Sequence, residues 1–516
     1  MSSQSGGVQR RSVTPLDAAN SLQEEDGAAQ RQGDTPFSQA HPRPEASYLR
    51  QADSNSGAAF ARALTMALDS SHRNGTSTPM RMPAWNLFLG ERRTAASELQ
   101  PLPARLTGVL SNYEMQCLLG AYVEKVHSCY NFVPLSIVQH SLVTLWDKGE
   151  GPAAEEAVLC LIGALASLFS GGTDFHLELT LVNMGKKRLD PATADRPSLE
   201  SAVAWLLLTV YLRLTALPEE AWLASCTTLH IIDAAGLHNT SDRASALVAP
   251  GSCAADPHTR RRIIGLAQHL NVWMSYDLGR TRVALHGLHS ADGVTSEQHG
   301  LDYTEELLGL LPYTHTLDPA NSTSSDGLSS ALADVLARTH TRPPSILAQC
   351  NVMLCIHRRL HALSHSFTSK AMDGVLGLIQ RALQAVRECL SSGLPWHQVS
   401  NIPFQAICTL LALDNPQSFA LLSDALACLD SVNEVYQTAA TREAVTAAHA
   451  LLQLHRKRRE ADLKRHDEML KLYPAAGVSS REPLTNVPEP DILDSWWLNE
   501  FIADANLDFD QPLDLG

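Results

Sequence analysis

The sequence predicts an all-α protein: a large multi-helix body, a disordered N-terminal region and an acidic C-terminal tail. Three observations lead there. From about residue 107 to 470, large apolar residues recur at the three- and four-residue spacings that one face of a helix requires. Strict apolar-polar alternation, the mark of a half-buried strand, is found nowhere, nor is an internal repeat of fixed period. Composition also shifts at both ends. Residues 1–80 are rich in Ser, Gln, Gly, Ala, Asp and Pro, and residues 489–516 hold eight acids and no Lys or Arg.

The 516 residues, 44% of them hydrophobic, suffice for one large or two to three ordinary domains with a substantial core. Residues 1–80 cannot bury enough apolar surface to offset the entropy of ordering, so they are assigned to disorder, with a short helix near 57–69. The segment PAWNLFLGERR at 83–93 is the first docking point, with Trp85, Leu87, Phe88 and Leu89 close together. Helices follow at 111–130, 134–147 and 153–170, the last apolar nearly all round and closed by Gly171-Gly172. The next pair, 198–215 and 218–235, opens on a capping-box pattern at Ser198 and Glu200 and then on Pro218-Glu219-Glu220. Joined by so few residues, these two must pack antiparallel. A polar loop at 239–258 precedes a helix at 259–282. Further loops lie at 289–303 and 314–328, and helices resume at 329–339, 343–366, 370–391, 401–413, 415–430 and 434–470. The domain plan is thus 1–80 disordered, 81–473 helical body, 474–490 linker and 491–516 tail.

Charge and chemistry exclude several classes. The formal charge is −15, of which the tail carries −8 and the rest of the chain −7, so no overall field holds the chain on nucleic acid. The ten cysteines are scattered through apolar helical patterns with no C-x-x-C pair, as expected of reduced, buried thiols in an intracellular protein. No apolar run is long enough to span a bilayer, so no membrane partner is expected. Phosphate-binding glycine loops, nucleophile elbows and zinc-protease motifs are missing, and the body lacks clustered aspartates on a helix. We therefore expect no enzyme, no catalytic residue, no cofactor and no metal. His357, His361 and His365 share one helical stripe, but i and i+8 lie about 12 Å apart, too far for one tetrahedral centre. They read as a polar or half-buried face.

Two segments remain as functional candidates. In the tail, Ile492, Leu493, Trp496, Trp497, Phe501 and Ile502 are threaded between acids, with Asp504, Asp508 and Phe509 following. Ile492, Leu493, Trp496 and Trp497 fall on one side of a helix with Phe501 one turn on. Such a segment folds when its apolar face enters a groove on another protein, and acidic-hydrophobic alternation marks disordered activation segments. The alternative is a terminal helix docking its tryptophans on its own domain. The basic run Arg456, Lys457, Arg458 and Arg459 is either a solvated helix face or a nuclear-import signal.

The order of these stretches resembles the middle homology domain of fungal binuclear zinc-cluster transcription factors. The resemblance covers roughly 80–470. It rests on the 83–93 segment, the pair AWLLLTVYLRLTALPEEAWLASCTTLHIIDAAGLH at 204–238, and the helix from Arg260 that ends in Asp277-Leu278-Gly279-Arg280. IPFQAICTLLALDNPQSFALLSDAL at 402–426 and TREAVTAAHALLQLHRKRRE at 441–460 complete it. Departures are Thr281, where the family has proline, and Gly265, where an aromatic is common. The resemblance implies a regulatory helical domain. It also implies six N-terminal cysteines holding two zinc ions, which have no counterpart before Cys117. We therefore expect a nuclear transcriptional regulator that reaches DNA indirectly. The route would be a DNA-binding partner, a homodimer or a zinc cluster missing from this chain, and the tail would recruit a transcriptional coactivator. Control of a fungal secondary-metabolite gene cluster is the role implied; the alternative is a helical scaffold or sequestering co-regulator.

Overall fold

The computed structural model describes residues 55–68, 87, 89–90, 102–171, 175–190, 197–238, 256–285, 303–318, 321, 323–363 and 365–472. These form sixteen α-helices, with a 3-10 turn at Leu106–Gly108, a π-helical turn at Val123–His127, and no strand among the described residues. The fold class is all-α, as the periodicity predicts.

A first group of helices packs around α4 (Ala153–Phe169) and α6 (Leu199–Thr215). Against them lie α2 (Asn112–Tyr122), α3 (Leu135–Lys148), α5 (Phe175–Arg188), α7 (Pro218–Ala234) and α8 (Pro257–Leu278). A second group comprises α11 (Ser325–Ala337), α12 (Pro343–Ala362), α13 (Ser369–Ser391), α14 (Gln398–Leu413), α15 (Pro416–Tyr436) and α16 (Ala439–Leu472). Between them run two single-turn helices, α9 (Tyr303–Leu308) and α10 (Leu311–Thr316), with α9 touching both α8 and α12.

Local chemistry explains most boundaries. In α4 every residue from Glu156 to Ala166 is buried, so the helix is apolar all round because neighbours cover it on all sides. Pro218 sits in the first turn of α7 with Glu219 and Glu220 beside it, where a missing N–H costs nothing and acids meet the positive dipole end. At the end of α8, Gly279 adopts φ +59° and the Arg280 N–H reaches the Ser275 carbonyl at 2.8 Å, a left-handed stop suited to glycine. Gly265 has a reason too: a Cβ there would lie 2.5 Å from Leu308 Cδ2, so α9 occupies the space an aromatic would need.

Several boundaries differ from the sequence expectation. The cap of α6 pairs Ser198 with Ser201, not with Glu200: the Ser201 N–H donates to Ser198 Oγ at 3.2 Å and the Ser198 N–H to Ser201 Oγ at 2.7 Å. α11 begins inside the expected 314–328 loop because Ser324 caps it, accepting from the Gly327 N–H. The long helix expected from 434 is broken at Gln437, where φ is +49°, so α15 ends at Tyr436 and α16 starts afresh. α5, α9 and α10 are additions. No single helix among the described residues is long and apolar enough to cross a membrane.

One element of the N-terminal region packs with the helical body. The helix expected near 57–69 forms as α1 (Gly57–Leu68), and it is buried against α14 and α16 rather than lying outside the body. Phe60, Ala61, Leu64 and Leu68 join the main core. The described residues 55–68 therefore pack as part of the helical body.

Candidate functional site

The interface between the two helix groups concentrates the buried polar chemistry. On the first group's side, Arg213 of α6 donates from Nη2 to Asp277 Oδ2 of α8 at 2.5 Å, with both side chains under 10% exposed. This is the aspartate of the Asp277-Leu278-Gly279-Arg280 stretch. Desolvation pushes its carboxyl above the usual range and Arg213 pulls it back down in part. On the second group's side, Arg358 of α12 donates from Nη1 to Gln405 Oε1 of α14 at 2.5 Å, and Gln405 in turn donates to Asn401.

The segment leading into α1 ties the two sides together. Ser56 Oγ donates to the Asp277 carbonyl at 3.1 Å, Asn55 Nδ2 to the Leu317 carbonyl at 2.6 Å, and Arg358 Nη2 to the Asn55 carbonyl at 2.9 Å. Gly57 fits flat against this network: a Cβ there would stand 2.7 Å from Gln405 Cδ. Asn55 and Ser56 thus touch α8, the end of α10 and α12 at once.

Two histidines complete the joint. Burial pushes His269 of α8 down to about 4, with the Arg213 guanidinium adding to the effect. Burial likewise holds His397 well below its ordinary value, with Arg213 and His269 contributing. Both are therefore neutral at pH 7. Beside them Trp396, 1% exposed, wedges its ring between Tyr130 and Phe169 of the first group, with centroids 4.7 and 5.1 Å away in edge-to-face geometry. His269 Nδ1, Trp396 Nε1 and Gln398 Oε1 have no hydrogen-bond partner among the described residues. Buried polar atoms left so are costly, so the seam carries a polar cost that the apolar interior does not.

None of this was singled out from the sequence. Two signals pointed to it: a lone arginine inside the apolar run LLLTVYLRLT, and an aspartate on the buried face of α8. A charge in a fully buried run implies a buried partner.

The expected site residues fall as follows. Ile492, Leu493, Trp496, Trp497, Phe501, Ile502, Asp504, Asp508 and Phe509 lie outside the described residues. The basic run lies on α16. Arg456 and Lys457 are exposed, Arg456 pairing with Glu460 at 3.2 Å. Arg458 reaches back to the Ala67 carbonyl of α1 at 3.4 Å, and Arg459 holds Asp414 at 2.6 Å and lies over the Phe419 ring. Successive residues turn by 100°, so the four cations do not share one face. His357, His361 and His365 do share a stripe, yet each is engaged in packing. His357 is 2% exposed and stacked on Phe367, and burial pushes it down to about 3. His361 lies 6.2 Å from it, and His365 shares a 2.8 Å hydrogen bond with Ser325. Among the described residues no cluster of three His, Cys, Asp or Glu side chains is placed to hold a metal.

Comparison with known proteins supplies the wider setting. No family model matches the chain. Protein RDR1 of Gibberella zeae is 36% identical over 460 residues, which covers 89% of this chain and 82% of that protein. Transcription factor kojR of Aspergillus flavus is 31% identical over 418 residues, 80% of this chain and 72% of the relative. Protein RDR1 of Saccharomyces cerevisiae is 27% identical over 420 residues, 80% of this chain and 74% of the relative.

Proposed function

The chain belongs to the family of fungal transcription factors that these relatives share, and is a transcriptional regulator; from that premise we propose that it is an activator working in the nucleus. The tail recruits a coactivator through Ile492, Leu493, Trp496, Trp497, Phe501 and Ile502. The helical body supplies regulation, and DNA is reached through a partner, a second copy or a zinc cluster outside this sequence. One observation carries the reading: two adjacent tryptophans and four other large apolar residues stand in a terminal segment with eight acids and no base. Import is assigned to Arg456, Lys457, Arg458 and Arg459, of which Lys457 and Arg456 are the most accessible. The target is a fungal secondary-metabolite gene cluster, a role supported only by the family likeness.

The test fuses residues 489–516 to a heterologous DNA-binding domain. We expect reporter activation that falls at least about tenfold with Trp496→Ala and Trp497→Ala together, as loss of central aromatic anchors predicts. A silent fusion that is indifferent to both substitutions overturns the activator assignment and leaves a helical scaffold or sequestering co-regulator.

A further inference from the structure

Where the two helix groups meet at the surface, they enclose a notch of about 150 Å³. The first group lines it with Glu124, Lys125 and Cys129, from the π-helical turn after α2 and just beyond. Such turns are rare and recur at functional sites. The second group supplies Arg342, which precedes α12, and Ser392, which follows α13. Two cations therefore converge, and neither has a carboxylate partner among the described residues. Lys125 donates to the Phe169 carbonyl at 2.9 Å, which uses one of its three donors. The Arg342 guanidinium lies over the Tyr303 ring, 4.3 Å from the centroid. A carbonyl and an aromatic face hold these groups in place without cancelling their charge. Glu124 is the one acid in the lining, and it is exposed. Burial pushes the Cys129 thiol up to about 11, so at neutral pH it adds no negative charge.

We propose that this notch binds one phosphate group, held by Lys125, Arg342 and the exposed hydroxyl of Ser392. The group comes either as free phosphate or as the end of a small phosphorylated metabolite. Charge supports this ligand, because a phosphate near −2 at pH 7 matches two cations better than a single carboxylate does. Donor chemistry supports it too: a guanidinium offers paired N–H groups to two oxygens, an ammonium serves as a point charge, and a hydroxyl adds a third donor. Size sets the upper limit. At about 150 Å³ the notch is smaller than the roughly 300–1,000 Å³ of sites for drug-sized ligands, so one compact group enters and a ring system does not. Lys125 belongs to one helix group, Arg342 and Ser392 to the other, so a bound phosphate joins them. It then stabilises the arrangement in which they touch, by mass action. The site neither needs nor tests the activator reading.

Calorimetric titration of the full-length chain with inorganic phosphate, at constant ionic strength, tests this directly. We expect saturable binding to one site, accompanied by a rise in the thermal unfolding midpoint. Arg342→Gln should weaken binding at least about tenfold, as loss of a charge-assisted hydrogen bond predicts. Ser392→Asp, at an exposed position, puts a carboxylate beside both cations and should abolish binding with the fold intact by circular dichroism. Glu124→Gln removes the opposing acid and should tighten binding a few-fold. Arg381→Gln, an exposed cation of α13 outside the notch, should change nothing. A parallel titration with glycerol 3-phosphate separates the two sources. Tighter binding than inorganic phosphate assigns the site to a phosphorylated metabolite, and equal or weaker binding assigns it to free phosphate. No saturable binding of either compound overturns the proposal. So does binding that survives both Arg342→Gln and Ser392→Asp, which would mean an adventitious ion only.

Discussion

Two interiors of this molecule are equally dry by exposure and opposite in chemistry. Around α4 and α6, Leu161, Ile162, Leu165, Leu206 and Leu207 are all fully buried among apolar neighbours. At the seam between the helix groups, equally buried positions hold Arg213, Asp277, Arg358, Gln405, Asn401, His269 and His397. Each large side chain in the first region contributes about 1.5–3 kcal/mol by leaving water, with no requirement on direction. The seam's ion pair gains little over an apolar replacement, because desolvation offsets most of the attraction. Its partners do, however, demand one geometry. The comparison teaches a division of labour: the α4–α6 interior holds the fold together, and the seam fixes how α8, α12, α14 and the α1 segment register against one another.

Breaking the pair gives the largest effect. Arg213→Ala leaves Asp277 buried without its cation and should cost about 3–5 kcal/mol in urea unfolding. Arg213→Met combined with Asp277→Leu should recover most of that loss. If the double variant is as unstable as the single one, the pair contributes to stability in its own right and the division of labour is wrong. In the apolar interior, Leu161→Ala should cost about 2–5 kcal/mol, with no second substitution at the seam able to rescue it. A Cβ added at Gly185 would stand 2.9 Å from Leu161 Cγ, so the leucine fills the space beside the glycine and a truncation leaves a cavity.

Acid sharpens the contrast, since the seam holds buried histidines and the leucine-rich interior offers none. His269 stays neutral in the fold down to about pH 4, while the unfolded chain takes its proton near 6.5. Between those values the unfolded state binds more protons, so stability falls as pH drops from 6.5 toward 4. By pH 5 the loss from this one residue is about 2 kcal/mol, and His397, depressed in the same direction, adds to it. Asp277 opposes them, because a carboxyl raised in the fold takes its proton there first as pH falls. Urea midpoints measured from pH 7.5 to 4.5 should therefore decline, and His269→Gln should flatten the curve. An unchanged slope in that variant removes His269 from the account.

Much of the apolar interior was legible in the sequence, and little of the seam was. α3, α4, α6, α7 and α8 announce themselves because a helix that is buried on one or all faces leaves a periodic or continuous apolar imprint. α5 left none: its buried Leu181, Val182 and Met184 are followed directly by Lys186, Lys187 and Arg188, and its Glu178 is buried, accepting a hydrogen bond from Tyr211 at 2.6 Å. α9 and α10 are six residues each, too short for any period to show. α1 was legible as a helix but not as part of the core, because twelve residues with five alanines and only four large apolar side chains, set among polar flanking sequence, do not forecast docking. Its small side chains are instead what lets it approach α14 closely. The seam depends on pairs distant in sequence, such as Arg213 with Asp277 and Asn55 with Arg358, and no local pattern states which buried charge meets which.

The smallest effect separates local specification from packing. At the start of α6 the sequence offers two partners for Ser198, Glu200 and Ser201, and the structure uses Ser201. Ser198→Ala removes the acceptor for the Ser201 N–H and should cost about 1 kcal/mol, with Ser201→Ala costing less because the Ser198 N–H lies at the partly solvated first turn. Glu200→Ala should lie within a few tenths of a kcal/mol of wild type, retaining only the weak effect of an acid near the helix dipole. The helix behind this cap is buried along nearly its whole length. If Ser198→Ala shifts the urea midpoint no further than Glu200→Ala does, burial alone sets where α6 begins. A resolved difference shows that even here, beside the driest part of the core, a hydrogen bond at one position still decides the boundary.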